Sequence, residues 1–226
     1  RPINEFYSPE NDYKYKVNNF DWQYDDEKDK YVVVGYKSSY KFMNEFCMVF
    51  PRMYSADERH KQAYKEWAQV TGKKIRYNYC GQRKADICPT FGENLRFFFS
   101  YQCNYMYWRY FLWNFAGRQN DLQGNGEITK GNWLSGFAFI DNARLGDQSQ
   151  LPSELRNNKG HNVYYMLPLL LGIIGIVFQL SRKKAGLENF SLTFFLFLLT
   201  GIAIVVYLNQ TPYQPRERDY AYAGSF

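Results

Sequence analysis

Two apolar runs, Tyr164–Leu180 and Phe190–Leu208, constrain this chain more than any other feature, and the short segment between them carries Arg182, Lys183 and Lys184. An uncharged stretch can leave water only if its backbone satisfies its own N–H and C=O groups, so each run reads as a helix. The second run holds 19 residues, enough at about 1.5 Å per residue to match a ~30 Å hydrocarbon core. The first holds 17 and sits near the lower limit. Each cation between them would cost about 2.5–3.5 kcal/mol at the bilayer centre, so that segment stays in water. The pattern predicts two transmembrane helices as a hairpin, 163–181 and 190–208, joined by a cytoplasmic basic turn at 182–189. The positive-inside rule puts both outer flanks on the far side.

The rest of the chain is polar, and mean hydropathy is negative. The net charge of +6 comes from scattered cations, with no block dense enough for a nucleic-acid arm, so no nucleic-acid partner is expected. A basic balance suits a membrane surface, and lipid is an expected partner. The 21 Tyr and 19 Phe also suit a membrane–water interface, where an apolar ring meets a polar tip. A Tyr-rich β domain would use them equally well.

Residues 1–92 read as an extracytoplasmic α+β region. Strands are predicted at Lys30–Val34, at Phe42–Phe50 before Pro51, and at Ile75–Tyr79. Ser55 and Glu58 match a capping box, opening a helix to about Val70 with His60, Ala63, Tyr64, Trp67 and Ala68 as its packing stripe and Gly72 past its end. Thr90 and Glu93 match a second box. It opens an aromatic helix within 93–117, Asn94–Ala116, where Gln102 and Arg109 share a face. An interfacial or re-entrant helix suits that mixture; a true span and a buried helix are the alternatives. Residues 118–162 form an extracytoplasmic loop region, and 209–226 a second loop bearing Pro-Arg-Glu-Arg-Asp. Overall the expectation is an α-helical membrane segment with an extracytoplasmic α+β portion. With no signal peptide before a lone hairpin, the chain reads as an internal piece of a larger polytopic protein.

Cys47, Cys80, Cys88 and Cys103 lack zinc-ligand spacing. In an exported region a Cys80–Cys88 disulfide is one possibility and buried thiols the other. Nucleotide loops, GxSxG and HExxH are absent, no cofactor is evident, and no metal site is assigned. Three polar clusters remain: Arg118 with Asp121; Asp141, Arg144 and Asp147; and Arg216, Glu217, Arg218 and Asp219. Arginines at a membrane face can hold a lipid-linked phosphate by bidentate, charge-assisted bonds, and a nearby carboxylate can act as base or metal ligand. Arg–Asp pairs there are equally ordinary loop-fixing ion pairs.

The strings Phe50–Ser55, Pro89–Asp121, Gly131–Pro152 and Tyr207–Phe226 resemble a large Bacteroidetes family of polytopic inner-membrane proteins. That family is grouped with the protein O-mannosyltransferase-like membrane glycosyltransferases. The resemblance implies transfer of a sugar, mannose first among candidates, from a polyprenyl-phosphate donor to Ser/Thr of exported acceptor proteins. It implies a catalytic carboxylate in an earlier loop outside this chain, so no catalytic residue is assigned here. It places Arg109, Arg118 and Asp121 in a WRY…GRQND motif and Arg216, Glu217, Arg218 and Asp219 in a PRERD motif, as candidates for binding lipid phosphate or substrate. The implied location is the bacterial inner membrane, multi-pass, with the polar mass periplasmic. A non-catalytic membrane scaffold subunit explains the same features without chemistry. A transporter piece ranks lowest, since neither apolar run carries an ionisable group other than Tyr.

Overall fold

In a computed structural model, residues 2–4, 15–42, 46–53, 55, 57–79, 82–213 and 219–225 are described. In chain order the strands are β1 Pro2–Asn4, β2 Tyr15–Asp25, β3 Lys30–Phe42, β4 Lys73–Tyr79, β5 Gln82–Cys88, β6 Gly117–Arg118 and β7 Asn162–Val163. The helices are α1 Glu58–Ala68, α2 Phe91–Phe97, α3 Arg109–Phe115, α4 Ala138–Leu145, α5 Ser153–Arg156, α6 Leu167–Ser181, α7 Lys183–Thr200 and α8 Ile202–Leu208. A π-helical stretch, Phe98–Trp108, joins α2 to α3. The chain divides into two units, 1–50 with 70–93, and 51–69 with 94–226.

The first unit is built from antiparallel sheets, β1-β3-β2 and β4-β5. Lys30–Val34 opens β3, and Ile75–Tyr79 lies in β4, as their β-branched and aromatic residues predict. The strand expected over Phe42–Phe50 does not form: β3 ends at Phe42, Phe46–Phe50 is not strand, and 43–45 lie outside the described residues. Glu93, only 7% exposed, fastens this unit. One carboxylate oxygen accepts from the Thr71 N–H (2.7 Å), the Thr71 hydroxyl (3.0 Å) and the Gly72 N–H (3.0 Å). The other accepts from the Thr90 N–H (2.7 Å) and hydroxyl (3.0 Å), while the Glu93 N–H donates to Thr90 Oγ1 (3.3 Å). This is the predicted Thr90–Glu93 capping box with a long-range clasp added. Gly72 has φ +51°, and a Cβ there would lie 2.7 Å from the Cys88 carbonyl oxygen, so only glycine fits the close approach.

In the second unit α1 packs its predicted stripe on the aromatic helix: Tyr64 meets Phe97 and Trp67 meets Tyr101 and Tyr105, with ring centroids 4.8–5.2 Å apart. Its cap is Asp57, not Ser55. The Asp57 carboxylate accepts from the Arg59 N–H (2.8 Å), and the Ser55 hydroxyl instead pairs with His60 Nδ1 (2.8 Å). A second cluster joins Tyr107, Val205 and Tyr222.

The expected membrane fold is overturned. Tyr165 and Met166 take left-handed φ values of 52° and 55°, so the first apolar run forms helix only from Leu167. Its 15 residues span about 22 Å, short of a ~30 Å core. Among the described residues only Lys183–Leu208, with 26 residues, is long and apolar enough to cross a membrane. Lys183 and Lys184 open that helix rather than lying in a loop, and only Arg182 separates it from α6. The aromatic helix is no interfacial element either. Gln102 and Arg109, expected on one face, are separated by a π-helical coil and reach different neighbours, Gln210 and Gly131; at 2% and 3% exposure both lie in the core. The architecture is α+β, with helices, small antiparallel sheets and one candidate apolar span.

Candidate functional site

The site grows out of a stacked ladder on the aromatic helix. The π-helical stretch pairs the Arg109 N–H with the Asn104 carbonyl five residues back, a widened coil that is rare over such a length. Along it Phe97 stacks on Tyr101 (5.1 Å) and Tyr101 on Tyr105 (5.7 Å). The Arg109 guanidinium carbon lies 4.0 Å from the Tyr105 ring centre and 4.9 Å from that of Trp113. Arg118 lies 4.0 Å from the Trp113 ring centre. Flat cations on aromatic faces hold their orientation at little cost in side-chain freedom.

The two arginines end differently. Arg109 is buried, and its Nε and Nη1 donate to the carbonyls of Tyr105 (3.0 Å) and Gly131 (3.1 Å). It joins helix to loop and presents no surface to a ligand. Arg118 is half-buried. Its backbone N–H donates to Asn162 Oδ1 (2.9 Å), and its Nε to the Asn120 carbonyl (3.0 Å). Its two Nη groups form no hydrogen bond or ion pair among the described residues. The Trp113 ring beneath it is buried, with its indole N–H also unpaired among those residues.

The loop region that carries Arg118 is folded by its own amides. Gln119 and Asn120 are 2% and 0% exposed. Gln119 Nε2 donates to the Ile128 carbonyl (3.1 Å) and Gln148 Oε1 (2.8 Å), and its Oε1 accepts from Asn132 Nδ2 (3.0 Å). Asn120 Nδ2 donates to the Thr129 carbonyl (2.9 Å), and its Oδ1 accepts from the Gly131 N–H (2.8 Å). Asp141 receives the Ser135 N–H (2.9 Å), its hydroxyl (3.0 Å) and the Gly136 N–H (3.0 Å), with Arg144 at 3.8 Å. Arg144 also covers the Trp133 ring at 3.6 Å. Asp147 caps the Gln148–Gln150 turn through the Ser149 N–H; Ser149, by hydroxyl then N–H, and Gln150 hold its carboxyl below the usual range. These acids fix loops.

Asp121 is exposed, and its N–H donates to Asn158 Oδ1 (3.3 Å). Arg118 and Asp121 thus share one turn, while Arg109 lies behind it. Arg216, Glu217 and Arg218 fall outside the described residues, and Asp219 opens the short helix Asp219–Ser225. Elsewhere Gln102 Nε2 donates to Asn209 Oδ1 (3.1 Å) and the Gln210 carbonyl (2.8 Å), tying the aromatic helix to the end of α8. Cys47 and Cys103 are free thiols; the Cys80–Cys88 pairing rests on Cys80, which lies outside the described residues. Burial pushes the Cys103 thiol up to about 11. Among the described residues no three His, Cys, Asp or Glu side chains converge as a metal site.

Sequence reasoning passed over His161, Asn162 and the buried amides Gln119 and Asn120. The one signal for them was the density of Asn and Gln between residues 117 and 162, which served there as a loop marker.

Residues 4–99, less than half of the chain, match a family described as a family of unknown function (DUF8416). No curated protein and no solved structure matches the chain.

Proposed function

We propose that this chain is part of a membrane glycosyltransferase that moves a sugar, mannose first among candidates, from a polyprenyl-phosphate donor to Ser/Thr hydroxyls of exported proteins. Arg118 contributes to the donor-phosphate site, and Lys183–Leu208 lies in the bacterial inner membrane. One observation carries this reading: a half-buried guanidinium, laid on Trp113 and moored through Nε, keeps both Nη groups unspent among the described residues. That is the geometry a phosphate binds, with two parallel N–H donors held in place beforehand. The strand β6 that holds Arg118 pairs with β7, which leads into α6. The resemblance of the GRQND and PRERD strings supplies the sugar chemistry.

The test is mannosyl transfer to a Ser/Thr acceptor peptide by the full-length protein. Arg118→Ala abolishes it, and Arg118→Lys leaves a small residue, since an ammonium neither stacks flat nor binds bidentately. Unchanged transfer in both Arg118→Ala and Arg216→Ala refutes the reading. A second reading, a non-catalytic scaffold, is favoured by the self-contained amide network around Gln119 and Asn120, which spends its polar groups internally. A full-length protein that folds, enters the membrane and binds no donor would select it.

A further inference from the structure

His161 precedes Asn162, whose Oδ1 accepts from the Arg118 N–H, and takes no part in the reading above. Its Nδ1 bonds the Gln119 carbonyl at 3.1 Å, and the next carbonyl, that of Asn120, holds Arg118 Nε at 3.0 Å. Imidazole and guanidinium are therefore moored to consecutive peptide oxygens. A glycine makes this possible: a Cβ on Gly160 would lie 2.7 Å from Asp121 Cβ and 2.9 Å from its nitrogen, so the His161 turn is pressed onto GRQND. Asn158 Oδ1 pins the same turn by accepting from the Gly160 N–H (2.8 Å) and the Asp121 N–H. A carbonyl only accepts, so this mooring puts the proton on Nδ1 and leaves Nε2 as the variable atom. His161 is exposed, and Nε2 has no hydrogen-bond partner among the described residues.

We propose that His161 Nε2 is a second, proton-linked contact for the phosphate that Arg118 binds; this rests on the donor-phosphate reading. As imidazolium it donates to a phosphate oxygen and adds a positive charge. As neutral imidazole it turns a lone pair toward that oxygen and repels it. The charged groups on the segments around it are Arg118, Asp121 and, on its own turn, Lys159. Arg118 keeps its charge throughout, so the proton on His161 sets the pH dependence.

The experiment measures binding of polyprenyl-phosphate mannose to the full-length protein in nanodiscs from about pH 8.5 to about pH 5.5, across the imidazole range. Wild type tightens about tenfold as pH falls, the worth of one charge-assisted bond. His161→Gln keeps a donor for the Gln119 carbonyl and binds at every pH as wild type does at high pH. Arg118→Ala binds weakly throughout. A His161→Gln protein that retains the wild-type slope overturns the proposal while leaving the donor reading intact; a folded wild type that binds no donor overturns both. Histidine NMR provides a check that does not depend on the variant's folding: polyprenyl phosphate raises the titration midpoint of His161, and an unmoved midpoint refutes the contact.

Discussion

Replacing Glu93 by Gln tests the clasp of the first unit. Burial alone would raise the Glu93 carboxyl, but the N–H groups of Gly72, Thr90 and Thr71, with the Thr71 hydroxyl, overcome it and hold it at about 2 against an ordinary 4.5. At ~1.4 kcal/mol per unit that depression is worth about 3 kcal/mol at most, and solvent screening at the edge of the site brings the expectation to about 2 kcal/mol. The folded value lies below the unfolded one, so the unfolded chain binds more protons between them. The stabilisation is complete above about pH 4.5 and is lost as pH falls toward 2. Glu93→Gln keeps the shape and removes the charge. At neutral pH the amides of Thr71, Gly72 and Thr90 then exchange about 30-fold faster, the equivalent of ~2 kcal/mol. Near pH 2.5 about three-quarters of that difference is gone. Residue-resolved hydrogen exchange reads this directly, each pH referenced to intrinsic rates. A loss equal at both pH values, or below about 0.5 kcal/mol at neutral pH, would refute the charge argument and leave only packing.

Gly72→Ala adds a side chain at a left-handed φ against the Cys88 carbonyl, and costs at least ~1–2 kcal/mol in denaturant titration. Asp141→Ala strands the Ser135 and Gly136 donors at a 4% exposed site, and lowers stability by about 2–3 kcal/mol, read as a lower thermal midpoint. Asp at both Leu196 and Leu199, which are exposed on α7, moves the protein out of the membrane fraction on carbonate extraction; retention there would show that Lys183–Leu208 does not anchor the chain.

Local patterns were legible wherever neighbours in sequence settle the structure. Thr90 and Glu93 announced their capping box, Lys30–Val34 its strand, and Tyr64, Trp67 and Ala68 the packing face of α1, because capping, β-branching and helical spacing act over a few residues. Length in an apolar run was less reliable. Tyr164–Leu180 carries no charge, yet left-handed Tyr165 and Met166 delay its helix and leave it too short to span. Composition says whether a segment tolerates lipid; backbone dihedrals decide where a helix begins. The polar sites belong to tertiary structure almost entirely. Glu93 meets Thr71 and Gly72 from more than twenty positions away, Arg118 meets Asn162 from 44, and Arg109 turned from a candidate ligand into an internal strut. The sequence by itself determined which segments could be helix or strand and which side chains could carry charge. Only the folded chain decided which cations are spent on carbonyls and which keep free donors, because hydrogen-bond partners drawn from distant segments leave no periodic trace in the sequence.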